Sequence, residues 1–113
     1  CKLPMGVKRN MATMLSRGQV IVHWDDDDYY GPARLRLQSA PILAGGVDFT
    51  LVPLVWSFHA GDACGPDGFY YSDGSGGGHM CTMSYRKSLW SSENHLRQYA
   101  ESSLMEDLFF YRN

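Results

Sequence analysis

A chain of 113 residues with 44% hydrophobic, 19% charged and 13% aromatic residues has the make-up of one globular domain with a modest core, and is too short for two. Its net charge of -2 argues against a polyanionic partner such as nucleic acid. No apolar run approaches the roughly 20 residues of a membrane helix, and no basic start followed by an apolar stretch marks a signal peptide.

The chain opens on Cys1 and runs almost at once into helical sequence, which reads as a piece of a longer protein or an incomplete gene model. Val7, Met11, Met14 and Leu15 recur at helical spacing and predict a helix over residues 7–17 with that stripe facing the core. Gly18 follows as a left-handed C-cap, with Arg17 at the negative end of the helix dipole. Residues 19–24 are β-branched and almost continuously apolar, as in a strand buried on both faces. Four aspartates end that strand, and Pro32 is placed to start a helix through about Ser39.

Further on, residues 47–53 and 54–59 read as two strands broken at Pro53, and residues 69–71 as a third. A Gly-rich loop over 72–78 precedes a strand at 80–85 and a helical turn at 86–90. Ser103 with Glu106 three residues on predicts a capped helix, whose buried side carries Leu104, Leu108 and Tyr111. There is no internal repeat. Cys1, Cys64 and Cys81 are odd in number and lack metal-ligand spacing, so they read as free thiols of a reducing, cytoplasmic-facing compartment; a Cys64–Cys81 bridge is the alternative, and the compartment stays open. Helix, strand, acidic turn and helix in that order are the grammar of an open α/β sheet, which binds ligands beyond the carboxyl ends of its strands.

Asp25, Asp26, Asp27 and Asp28 repel one another, and crowding them gains nothing in a plain solvated loop. A dication reverses that sign: magnesium or manganese takes one or two carboxylates and often substrate phosphates as well. In an extended chain Asp25 and Asp27 project to the same side. A calcium loop of the helix-loop-helix type is excluded, because Tyr30 and Arg36 stand where its glycine and glutamate belong.

The blocks Lys8-Arg-Asn-Met-Ala12, Gly18 through Asp28 and Tyr30-Gly-Pro-Ala-Arg-Leu35 resemble the family-2 glycosyltransferases of the GT-A fold, in which an Arg-Asn-x-Ala helix precedes a strand ending in Asp-x-Asp. The later block from Gly76 to Arg86, then Trp90, then Glu106-Asp107, is similar to that family's acceptor-side loop, strand, arginine and Glu-Asp pair. The resemblance implies a single incomplete domain over 1–113, a partial Rossmann-like mixed sheet flanked by helices with an Asp-x-Asp turn at a strand end. The metal and donor turn would span 19–40 and the acceptor-side and catalytic segment 68–112. The family's two or three leading strands have no counterpart here. Residues 44–68 map to no block and are expected to shape the acceptor side.

Carried over residue by residue, the resemblance implies a uridine or guanosine diphosphate sugar as donor and a hydroxyl on a glycan, lipid or protein as acceptor. Asp27 matches the metal ligand, with Asp28 as its substitute in register, and Asp25 matches the aspartate near the donor ribose or sugar and metal. Manganese or magnesium is the implied cofactor. Asp107 matches the general base of inverting members, supported by Glu106; without the resemblance, capping and dipole complementarity at a helix start would be the favoured reading of both. His79 in its glycine loop is a further candidate, to touch the acceptor or the donor phosphates, although a lone loop histidine is more often just solvated; Lys8 and Arg9 on the first helix are donor-side candidates equally readable as solvated cations. Tyr29, Tyr30 and Trp90 are readable as stacking or core residues. Two rivals remain: a metal-dependent nucleotidyl or phosphoryl transferase, because aspartates at strand ends also build two-metal sites, and a catalytically silent truncated module that binds metal or glycan.

Overall fold

The structure is a computed structural model that describes residues 2–59, 68–72, 79–90 and 98–100. In chain order its elements are α1 (Met5–Leu15), β1 (Val20–Val22), α2 (Arg34–Leu43), β2 (Phe49–Val52), β3 (Val55–His59), β4 (Gly68–Ser72), β5 (His79–Arg86) and a single 3-10 turn (Lys87–Leu89). β1, β5 and β2 form an antiparallel sheet in that spatial order, and β3 pairs with β4 as a separate antiparallel ribbon. Among the described residues no helix is long and apolar enough to cross a membrane.

The expected α/β layering is present, as two helices with a three-stranded sheet. β1 and β2, each antiparallel to β5, run parallel to one another and are joined through α2, with β5 inserted between them. That split strand-helix-strand unit is why the sequence reads as α/β although each described pairing is antiparallel rather than mixed. Burial on both faces, expected of residues 19–24, belongs to β5 instead: Thr82, Met83, Ser84 and Tyr85 are all essentially inaccessible. β1 is half-buried because it lies at the edge of the described sheet.

Both helices seat on the sheet through polar stripes, and this corrects the apolar face expected for the first. Met11, Met14 and Leu15 are exposed, the last to 72%, whereas Gly6 and Thr13 are buried. Asn10 turns inward and makes the docking bonds: its Nδ2 donates to the Tyr99 carbonyl at 2.9 Å, and its Oδ1 accepts from Trp90 Nε1 at 3.0 Å and the Tyr99 amide at 2.9 Å. In α2, Arg34, Gln38 and Ile42 share the buried side, and Gln38 Nε2 donates to the Thr82 carbonyl at 2.8 Å. Buried polar groups cost little when each is paired, so the inward stripes need not be apolar.

The helix ends also differ from expectation. α1 stops at Ser16, whose backbone is extended (φ -63, ψ 149), and no left-handed glycine follows. Lys87 removes the need for one, since its Nζ donates to the Ser16 carbonyl at 2.6 Å and lies 3.4 Å from that of Met14, in the place foreseen for Arg17. The glycine cap belongs to α2, where Gly45 has φ +80, its amide meets the Ile42 carbonyl at 3.1 Å and the Gly46 amide meets the Pro41 carbonyl at 3.1 Å. Those two bonds are a Schellman motif. α2 begins two residues after Pro32 and runs through Pro41 to Leu43, four residues beyond Ser39. The carbonyl that loses its partner to Pro41 is that of Leu37, whose residue is exposed and open to water.

Met83, Tyr85, Trp90 and Tyr99 form the core cluster, with Ile21, Leu51 and Leu89 against it. The helix expected from Ser103 lies outside the described residues, as do Cys64, Glu106 and Asp107.

Candidate metal centre at the acidic turn

The pairing of β1 with β5 carries the acidic turn to its neighbours. Val22 stands opposite Ser84, and the His23 amide donates to the Met83 carbonyl at 2.9 Å, extending the ladder one step. Continued in the same register, Asp25 comes level with Cys81. The chain then folds back, with the Asp28 amide 3.4 Å from the Asp25 carbonyl and Asp26 and Asp27 at the apex. A turn of this kind brings its first and fourth residues together rather than its first and third. One donor atom each from Asp25, Asp28 and Cys81 therefore lies within 4.8 Å of the others.

This arrangement differs from the side-by-side Asp25 and Asp27 expected of an extended chain. Asp27 is exposed at the apex and is not a member of the group; Asp28, foreseen as its substitute in register, stands there instead. Cys81, read from sequence as a plain free thiol, is indeed free and is the third member. Its only sequence signal is long-range strand register, which single-sequence periodicity does not contain. As a donor set, the two carboxylates suit hard dications such as magnesium or manganese, while a thiol suits softer ones, and manganese would tolerate it better than magnesium.

The surroundings are built mainly by α2. Arg34 is 7% exposed; its Nη2 donates to the His23 carbonyl at 2.7 Å and its Nε to Gln38 Oε1 at 2.8 Å. Its guanidinium carbon lies 3.6 Å from the Tyr30 ring centre and 4.9 Å from that of Trp24, and Nη1 has no hydrogen-bond partner among the described residues. The Tyr30 hydroxyl donates to Asp28 Oδ2 at 2.6 Å. Burial, and next that bond to Asp28, push the Tyr30 phenol far above its ordinary range, so it keeps its proton and acts as a donor.

Of the other residues foreseen for the donor side, Arg9 reaches the turn, with Nη2 4.0 Å from Asp25 Oδ1. Lys8 is exposed on α1. His79 opens β5 opposite Val52, half-buried, and its Nε2 has no hydrogen-bond partner among the described residues. Tyr29 is 94% exposed, whereas Trp90 is a core residue. Behind the turn, His23 Nε2 meets the Tyr99 hydroxyl at 2.5 Å; Tyr99 donates to the Tyr85 hydroxyl at 3.0 Å, and Tyr85 meets Thr13 Oγ1 at 3.0 Å. This buried chain ties β1 to β5 and α1.

Burial, then Asp28 and Asp25, raise the Cys81 thiol above its ordinary value of 9.0. The folded chain therefore holds a proton at pH values where an unfolded chain releases it, and stability falls as pH rises past 9.0. Tyr85, raised by burial, adds to the fall above 10.0. Replacing Cys81 by serine is expected to remove the first part of that fall, read as urea midpoints between about pH 8 and about pH 10. An unchanged pH profile in that variant would contradict this.

Compared with protein-family models, with curated proteins and with solved structures, the chain matches none.

Proposed function

We propose that this chain carries the metal and donor end of a glycosyltransferase that moves a sugar from a nucleotide donor to a hydroxyl acceptor, with inversion. The observation that carries the reading is the meeting of Asp25, Asp28 and Cys81 beyond the end of β1. Asp25 and Asp28 would hold manganese or magnesium, with Cys81 as a soft third ligand. When bound, the dication supplies Lewis acidity that offsets charge on the departing nucleoside diphosphate.

The chain's own groups support an anionic donor. The buried Arg34 guanidinium has one arm without a hydrogen-bond partner among the described residues, which suits a phosphate oxygen. Arg9, beside Asp25, offers a second positive charge. The open edge of β1, unpaired among the described residues, suits the leading strands that the resembling family places ahead of this region. Asp107 keeps the role of base that the resemblance implies, taking the acceptor proton, with Glu106 in support.

In the whole protein that carries this chain, a uridine diphosphate sugar with manganese and a hydroxyl acceptor is expected to yield free uridine diphosphate. Release of sugar phosphate or pyrophosphate would mark a nucleotidyl or phosphoryl transferase instead. Manganese binding with no donor turnover would mark a silent binding module. Either result removes the glycosyl-transfer reading.

A further inference from the structure

Trp24 stands in water where its chain neighbour does not. It is 50% exposed, whereas His23 beside it is buried. Single exposed apolar side chains are ordinary on a protein surface. A large ring that is both open to water and held rigid is not, because nothing is gained by fixing a group that only faces solvent.

The indole is restrained from three sides. The His23 amide donates to the Met83 carbonyl at 2.9 Å and the His23 carbonyl accepts from Arg34 Nη2 at 2.7 Å, so the backbone leading into Trp24 is fixed. The Arg34 guanidinium carbon lies 4.9 Å from the indole centre, and Arg34 is itself bonded to Gln38. The Tyr30 ring meets the indole edge to face, with 4.8 Å between ring centres and 65° between planes. The ring is thus ordered before any ligand arrives, which removes that cost from binding.

The residues after Trp24 select the ligand. Four carboxylates come next in the chain, and Asp26, Asp27 and Asp28 are exposed. They repel a bare phosphate and accept hydrogen bonds from hydroxyls. A pyranose complements both features: it has an apolar C–H face for the indole and a rim of hydroxyl donors, and it carries no charge.

We propose that Trp24 is a stacking platform for a neutral sugar ring, with the exposed aspartates as acceptors for its hydroxyls. The platform needs no cation. As the place of an acceptor glycan it rests on the glycosyl transfer proposed above; sugar binding itself does not.

The test is nuclear magnetic resonance of the full chain without metal or nucleotide, titrated with β-linked cellotetraose, with α-linked maltotetraose and separately with uridine. At least one tetrasaccharide is expected to shift the Trp24 indole signal and to leave that of Trp90, a core residue, in place. Trp24→Ala is expected to weaken binding by about tenfold or more, the usual effect of removing one stacked ring. Trp24→Tyr, which keeps an aromatic face, should stay within about threefold of the parent. Tyr29→Ala should bind as the parent does, since Tyr29 is more exposed still at 94% but lacks those supports. No shift at Trp24 with either sugar overturns the inference, and this reading of the parent chain holds even where a variant fails to fold. Equal loss with Tyr29→Ala also overturns it, in favour of general aromatic stickiness, and a shift with uridine alone overturns it in favour of a base platform. Because metal and donor are both left out, sugar binding and uridine diphosphate release fail separately.

Discussion

Asp25→Asn and Asp28→Asn are each expected to abolish manganese binding, raising the dissociation constant by on the order of a hundredfold or more, because loss of a merely supporting residue already costs roughly 10- to 100-fold. Asparagine keeps the shape of the side chain and removes the charge, so the loss reports ligation and not packing. Asp27→Asn is expected to change affinity by no more than about twofold, since Asp27 sits at the exposed apex outside the group. The three variants separate two readings of one motif. A register taken from an extended chain makes Asp27 indispensable; the turn makes Asp28 so. In the same titration, Cys81→Ser should narrow the preference for manganese over magnesium, because it exchanges a soft donor for a hard one. Strong loss with Asp27→Asn and none with Asp28→Asn would overturn the assignment built on the turn.

The largest expected effect on stability comes from Asn10→Ala. Asn10 is the residue by which α1 grips the core, through the Trp90 indole and both backbone groups of Tyr99. Trp90 and Tyr99 are 9% and 2% exposed, so water replaces these bonds poorly. Leaving a buried polar group without its partner costs about 1–3 kcal/mol. With partial access for water, the total here is expected to be about 3 kcal/mol, a large share of the roughly 5–15 kcal/mol that holds a domain together. Asn10→Asp keeps the acceptor for Trp90 and the Tyr99 amide but turns an acceptor oxygen onto the Tyr99 carbonyl in place of the donor, so it should cost a comparable amount. Urea unfolding of the three chains measures this. A loss below about 0.5 kcal/mol for the alanine variant would mean that α1 is held by other contacts.

Much of the chain's punctuation is legible before any coordinates. β5, the turn after it, the break at Pro53 and the strands on either side of it follow from β-branched runs bounded by glycine and proline, because those signals are local. What periodicity misreads is which side of a helix faces inward. Met11, Met14 and Leu15 make the more apolar stripe, yet Gly6, Asn10 and Thr13 dock, because Asn10 and Thr13 find hydrogen-bond partners in the core. Helix termination is misplaced for a related reason: Lys87 caps α1 from far along the chain, so Gly18 is not needed, while Gly45 closes α2.

The candidate site divides in the same way. Its acidic half is visible as a run of four aspartates placed directly after a strand. Its thiol half is not, because nothing near Cys81 in sequence announces the β1–β5 register that delivers it. Nor does the order Asp25 to Asp28 reveal whether the chain there stays extended or reverses.

That register has a consequence for how the chain handles its own folding. Asp25 and Cys81 are neighbours only while β1 and β5 remain zipped, so an unfolded chain offers a cation nothing comparable. On the metal-binding reading proposed above, occupancy and assembly would be a single linked equilibrium, in which a hundredfold excess of metal over its dissociation constant would shift the balance toward the native form by about 2.7 kcal/mol. On that reading, a ligand set gathered from two distant strands would double as a latch on the sheet.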